Sequence, residues 1–301
     1  MSFGQPMLAF KGIEDNQTLA QYAPLPSLVS FKIDGVRLFG YDGEGYSRSL
    51  KTFPNQFIQD WVYRNRIPMQ FLDGEIVQGL PYGEGVMQRA QSFTNSNYKE
   101  APFNFYVFDW FGNMSLPVEE RQKIAREMAS KIPEAIWVEQ VPCHSVEEIL
   151  ALEELALSTE YEGIIGRKPG SPYRHGRPGK RELYMWKLKR VEDSEAEIIG
   201  FEEELFNGNE EGVNELGRMK RQSLKENMVG KDTLGSFICK DPMWPKTFNV
   251  GIGRGLTHAL RQEIWDNREK YIGKKMTYTF FRIGSVERPR FPKWKAFRHD
   301  I

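Results

Sequence analysis

The chain has 301 residues, a length that favours two domains at roughly 150 residues each, with enough apolar content (40%) to build a core without disulfide staples. Its 41 basic and 41 acidic side chains cancel, which excludes a uniformly basic protein. Cys143 and Cys239 lie too far apart for a CxxC zinc or redox motif, and the start MSFGQPMLAFKG lacks the pattern of a signal peptide. No apolar run reaches the roughly 18 residues of a membrane span, so the expectation is a cytoplasmic protein with no membrane partner.

In chain order, residues 28–41 (LVSFKIDGVRLFGY) read as strand, turn and strand, and residues 71–77 and 103–110 as further strands. Residues 117–131 read as a helix, with Pro117 near its first turn and Ile124, Ala125 and Met128 on one face. A clearer helix spans 145–157, where Ser145 and Glu148 form a capping box ahead of Ile149, Leu152 and Leu155. Strand signals return at 162–167 and 183–189. This is an α+β pattern with mixed or antiparallel sheets rather than a regular βαβ alternation.

Composition shifts after Lys189. Residues 1–189 carry net −2, residues 190–244 net −6 and residues 245–301 net +8. Strands are expected within 190–204, at 234–239 and at 275–283, with a helix over about 257–272 ending at Gly273. Residues 207–233 read as a long loop or hairpin. A small β-barrel with one helix fits this half, so the domains are expected at 1–189 and 190–301. The basic, aromatic-rich tail suits a polyanion that offers flat faces, and equally a solvated face on a barrel with an aromatic core. Gly251, Gly253 and Gly255 lie outside any βαβ unit and read as a barrel turn rather than a phosphate loop. His144, His175, His258 and His299 show no metal-ligand spacing.

The sharpest signal is Lys32-Ile33-Asp34-Gly35-Val36-Arg37. Taken alone it also reads as a hairpin turned by Asp-Gly. The segment K-x-D-G-x-R resembles the nucleotidyl-lysine motif of the covalent nucleotidyltransferases, which comprise DNA ligases, RNA ligases and capping enzymes. Ser47-Arg48-Ser49 resembles the family's second motif, and Leu72-Asp73-Gly74-Glu75-Ile76 its third. Phe105-Tyr106-Val107-Phe108-Asp109 resembles the aromatic motif, Glu162-Gly163-Ile164-Ile165 the fourth and Lys187-Leu188-Lys189 the fifth. They occur in family order. Residues 215–236 and the ending RPRFPKWKAFRHD resemble the OB domain of small bacteriophage-type ATP-dependent DNA ligases, with Arg298 and Asp300 in the last motif's positions. Many members follow that acid with a lysine, whereas here Ile301 ends the chain.

The resemblance implies a nucleotidyltransferase (adenylation) domain followed by an OB-fold β-barrel. It implies an ATP-dependent DNA ligase of DNA repair and replication that seals 5′-phosphate/3′-hydroxyl nicks through lysyl-AMP, with an RNA ligase as the alternative. Lys32 becomes the nucleophile, and Arg37, Lys187 and Lys189 assist it. Asp34, Arg48, Glu75, Phe108 and Glu162 join them in binding the nucleotide, Phe108 offering its ring to adenine. Glu162 is the first choice of magnesium ligand, and manganese can substitute. A lysine must lose its proton to attack, and its ordinary pKa is about 10.4. The cations Lys187, Lys189, Arg37 and Arg48 are therefore expected to lower that of Lys32. Nicked duplex DNA is the expected partner, contacted by Arg218, Lys220, Arg221 and Lys225 on the loop, and the protein is expected to act as a monomer.

Overall fold

The computed structural model describes residues 4–209, 211–213, 219–221 and 227–298, the second and third of these stretches by backbone alone. The chain divides into two units, residues 1–190 and 191–301.

In the first unit, β1 (Ser27–Phe31) leads to β2 (Val36–Tyr41) and β3 (Glu44–Ser47). Then come α2 (Gln56–Arg64) and the short α3 (Arg66–Met69), α1 (Asn16–Tyr22) having preceded β1. Next are β4 (Leu72–Val77), α4 (Val86–Thr94), β5 (Asn104–Trp110) and α5 (Val118–Ala129). The unit closes with β6 (Ala135–Trp137), β7 (Val141–Cys143), α6 (Val146–Ser158), β8 (Ile164–Arg167) and β9 (Met185–Leu188).

These strands form two sheets, ordered β3-β2-β4-β5-β6 and β7-β1-β8-β9. Neighbours are antiparallel except β5 and β6. β1 and β2 are therefore not a hairpin. Phe31 pairs with Ile164 in one sheet, while Val36 pairs with Ile76 in the other. Lys32–Gly35 is the crossing between sheets, which is why the motif needs its glycine. A Cβ on Gly35 would lie 2.5 Å from the Ile76 carbonyl oxygen. Leu38, Ile76, Phe105 and Val107 of the first sheet pack against Ile58, Trp61, Phe93 and Ala125 of its helices. Val29, Ile164, Trp186 and Leu188 of the second pack against Leu19 of α1 and Ile149 and Ala156 of α6. A smaller apolar group (Ile33, Val77, Val86, Tyr106 and Val138) lies beside the crossing.

α6 starts where the cap was expected, but the box is stretched. Ser145 accepts from the Glu148 amide at 3.2 Å, while Glu148 reaches back to the amide of His144 rather than that of Ser145, at 2.7 Å.

The second unit is a closed barrel of β10 (Glu192–Asn207), β13 (Met228–Lys240), β14 (Phe248–Gly251), β16 (Arg290–Phe297) and β15 (Lys275–Phe281), in that order around the ring. Ile198, Phe237, Val250, Met276, Tyr278 and Phe280 fill it, and Ile264 of α7 (His258–Asp266) joins them. The expected longer helix breaks into α7 and a 3-10 turn over Arg268–Tyr271 before Gly273, whose φ is +79°. Within the expected loop, β11 (Glu211–Val213) and β12 (Met219–Arg221) pair antiparallel.

Candidate active site

Each edge of the crossing brings one group of functional side chains. Lys32 leaves β1 with its amide bonded to the Gly163 carbonyl at 2.8 Å, directly beside Glu162. Gly163 has a φ of +140°, and a Cβ there would meet the Leu188 carbonyl oxygen at 2.3 Å. Only glycine lets the Glu162 backbone approach β9 this closely. Lys189, just past β9, is thus carried to the same carboxylate. Lys32 Nζ bonds one oxygen of Glu162 and Lys189 Nζ the other.

Glu162 is 6% exposed. Burial alone would raise its pKa, but the Lys32 and Lys189 charges outweigh burial and hold it at about 2. For Lys32, burial is again the largest influence and acts downward, yet the Glu162 and Glu75 carboxylates reverse it and raise the pKa. The expectation that surrounding cations lower Lys32 is therefore corrected: the nearest group is an acid, which raises it. The lowered amine is Lys187, brought to about 8 by burial and then by the Lys32 charge. The Lys187 ammonium makes no hydrogen bond or ion pair among the described residues.

Glu75 of β4 accepts from the Gly35 amide at 2.8 Å, and burial pushes its carboxyl up to about 7 despite Lys32 and Arg37 nearby. Asp34 is buried at the crossing. Arg37 is not free. Its Nε and Nη2 grip the two Asp73 oxygens at 2.5 and 2.6 Å, and its guanidinium carbon lies 4.6 Å from the Phe108 ring centre. Arg167 approaches the same ring at 5.6 Å. Arg48 lies in the turn after β3 and is exposed. Its nearest effect is on Arg177, whose pKa is lowered first by burial and then by the Arg48 charge.

Beside Lys32 opens a cavity of about 260 Å³, lined by Ser30, Phe31, Ile33, Tyr106, Val138 and Tyr161 among others. Tyr106 and Phe108 alternate onto one face of β5, but only Tyr106 lines the cavity. Among the described residues no three His, Cys, Asp or Glu side chains cluster as a metal cage. Glu162 alone would suffice for a hard cation completed by phosphate oxygens and water, and this donor set fits magnesium.

The basic loop residues are only partly placed. Arg218, Lys225 and Asp300 lie outside the described residues, as do the side chains of Lys220 and Arg221. Arg298 pairs with Glu195 at 2.9 Å. Among the described residues no helix is long and apolar enough to cross a membrane.

Sequence reasoning missed a second charged cluster. Asp109 is fully buried between Arg121, at 2.9 Å, and Arg167, at 2.5 Å. Its partners come from α5 and β8, so no local spacing announces them. It also missed the N-terminal segment, whose backbone meets Tyr173, His175, Gly176 and Met185 far along the chain.

Residues 6–189 match the family model of the ATP-dependent DNA ligase domain, and residues 227–298 match that of the DNA ligase OB-like domain. A DNA ligase of Archaeoglobus fulgidus is 24% identical over 295 residues, covering 89% of this chain and 49% of its own length. The chain thus spans about half the length of that curated relative. A DNA ligase of African swine fever virus is 26% identical over 136 residues, covering 44% of this chain and 32% of its own. Among solved structures, Chlorella virus DNA ligase-adenylate is 25% identical with a TM-score of 0.54, and all of both chains is covered. A Lig E DNA ligase shares the fold at a TM-score of 0.69 and 19% identity, over 99% of this chain and 100% of its own.

Proposed function

We propose that this chain, which belongs to the ATP-dependent DNA ligase family, seals 5′-phosphate/3′-hydroxyl nicks in duplex DNA through a covalent lysyl-AMP. Residues 1–189 act as the adenylation domain and residues 190–301 as an OB-fold DNA-binding domain. The observation that carries the reading is the Lys32–Glu162–Lys189 cluster, with Phe31 and Ile33 on either side of Lys32 lining a cavity of about 260 Å³.

ATP places its base in the cavity between the Tyr106 side of β5 and Ser30, with Phe108 next along the strand, and its phosphates among Lys187, Lys189 and Arg48. Glu75 and Asp34 position the ribose and the lysine. Phosphate oxygens compete with Glu162 for the ammonium of Lys189. Once Glu162 is drawn from Lys32, burial is the dominant influence on that amine and lowers its pKa, which frees the lone pair. Nζ then bonds the α-phosphorus as the bond to pyrophosphate breaks, while Lys187 and Lys189 stabilise the developing charge. Magnesium or manganese, when bound at Glu162, screens the triphosphate and eases the departure of pyrophosphate. AMP passes to the 5′-phosphate of the nick. The 3′-hydroxyl attacks that phosphate and expels AMP, steps whose rate depends on alignment.

Arg218, Lys220, Arg221 and Lys225 contact the DNA backbone, and Arg298 and Asp300 orient the nucleotide. The protein acts as a monomer in the cytoplasm. The RNA ligase alternative is not favoured, since the matched relatives are DNA ligases. The test is transfer of label from α-labelled ATP to the protein, followed by a chase with nicked DNA. Discharge of the label with sealing is the expected result. Label from GTP, discharge only by RNA, or no label at all would overturn the proposal.

A further inference from the structure

The N-terminal segment is bound to the site by its backbone. The Leu8 amide donates to the Gly176 carbonyl and the Phe10 amide to that of Met185, each at 2.8 Å. His175 Nδ1 lies 2.9 Å from the Gln5 carbonyl oxygen, and Arg177 donates to the Ala9 carbonyl. Met7, 1% exposed, is the centre of this strap. Its amide donates to the Tyr173 hydroxyl at 3.0 Å, and that hydroxyl donates to Asp73 Oδ2 at 2.8 Å. The same Asp73 oxygen takes Arg37 Nη2 at 2.6 Å, and Nη2 also donates to the Met7 carbonyl at 3.2 Å. The path from Met7 through Tyr173, Asp73 and Arg37 returns to Met7, forming a closed ring of hydrogen bonds.

The ring decides which way the guanidinium faces. Asp73 and Met7 consume every N–H on Nε and Nη2, while Nη1 has no hydrogen-bond partner among the described residues. Phe108 supports the flat face of the guanidinium. Asp73 alone would fix the plane of the fork. The Met7 carbonyl adds a third anchor, on the second N–H of Nη2. Tyr173 completes the device because its hydroxyl, kept protonated first by burial and then by Asp73, can only donate toward the carboxylate. A phenylalanine at position 173 would leave Asp73 and the Met7 amide each without that partner.

We infer that the strap Gln5–Phe10, joined through Tyr173, is a positioning device that presents Nη1 of Arg37 to the bound nucleotide. The inference rests on the proposed ligase reading, in which Arg37 serves the nucleotide. Tyr173 and Met7 act through Arg37 and touch no substrate.

The test is the single-turnover rate of Lys32 adenylation against ATP concentration, for the full chain and for Tyr173→Phe. The half-saturating ATP concentration is expected to rise about tenfold with the maximal rate changed less than about threefold. In an Arg37→Ala background, Tyr173→Phe should add nothing, since the group it positions is gone. Effects that multiply in the double variant would overturn the inference, as would an unchanged half-saturation. A purely structural role would lower the melting temperature but would not vanish when Arg37 is removed. Should Tyr173→Phe not fold, Asp73→Asn is put through the same cycle, with the same two outcomes. Wild-type protein that takes no label at all would instead overturn the ligase reading.

Discussion

Two carboxylates of the N-terminal unit, Glu162 and Asp109, are each buried between two basic side chains that hold them below the ordinary carboxylate range against the effect of burial. Around Asp109 the bases are arginines. Arg121 is fully buried and gives both Nη1 donors to the Leu116 and Ser171 carbonyls, at 2.6 and 2.8 Å. Guanidinium groups do not lose their proton, so this cluster has one state. Around Glu162 the bases are lysines. Lys32 keeps 18% of its side chain exposed, and beyond Glu162 its ammonium makes, among the described residues, only a weak hydrogen bond to the Ile33 carbonyl, at 3.5 Å. An ammonium is a point charge whose pKa follows its surroundings, so this cluster can be rearranged by a ligand. The same charge count thus serves as a permanent tie between β5, α5 and β8 in one place and as a releasable restraint on the proposed nucleophile in the other.

The comparison predicts opposite consequences for matched substitutions. Lys32→Ala removes the attacking atom and should reduce covalent labelling by about 10⁴-fold or more, with the melting temperature little changed. Labelling and thermal melts together check both halves. Glu162→Gln should likewise cost more activity than stability, because the lysines it strands can shed their protons. Asp109→Asn should do the reverse and cost about 3–5 kcal/mol, since two buried guanidinium groups lose their partner and cannot neutralise. A urea unfolding curve measures it. If Asp109→Asn were tolerated and Glu162→Gln unfolded the protein, the assignment of permanent and releasable clusters would be reversed.

Acid probes the Asp109 cluster more gently. The folded pKa of Asp109 lies below its unfolded value of about 3.9. Its contribution is therefore complete above that value and is lost as pH falls through the depressed folded one. Wild type should lose stability on acidification below about pH 4, and Asp109→Asn should show a shallower decline over the same range. Identical slopes would mean that Asp109 is not the linked group. The smallest expected effect is a control remote from both clusters. Ser145→Ala removes the cap of α6 and should cost about 1 kcal/mol in the same unfolding assay, with labelling unchanged.

Much of the site was legible because its residues lie in short motifs with strand-like surroundings. Lys32, Glu75, Glu162, Lys187 and Lys189 do come together. What the motifs did not convey was partnership. The segment around Asp-Gly has the composition of a hairpin turn, and only the pairing of β1 with β8 and of β2 with β4 reveals a crossing between sheets. The ion pairs Arg37–Asp73 and Asp109–Arg121–Arg167 join residues that are distant in sequence, and composition carries no trace of them. Other elements left a signal that went unread. Asn55 caps α2 by accepting from the Ile58 amide, and Ile58, Trp61 and Val62 follow at helical spacing. β14 and β16 are short or interrupted by proline, and the barrel rather than the local pattern makes them strands.

In the proposed mechanism Lys32, although Glu162 pairs with it and raises its pKa, is the amine that takes AMP. Peptide mapping by mass spectrometry after incubation with ATP and magnesium tests this directly, because Lys187 is the amine with the lowered pKa. The account predicts a single acid-labile AMP adduct on the peptide containing Lys32. An adduct on Lys187 or Lys189, or none on any lysine, would contradict it.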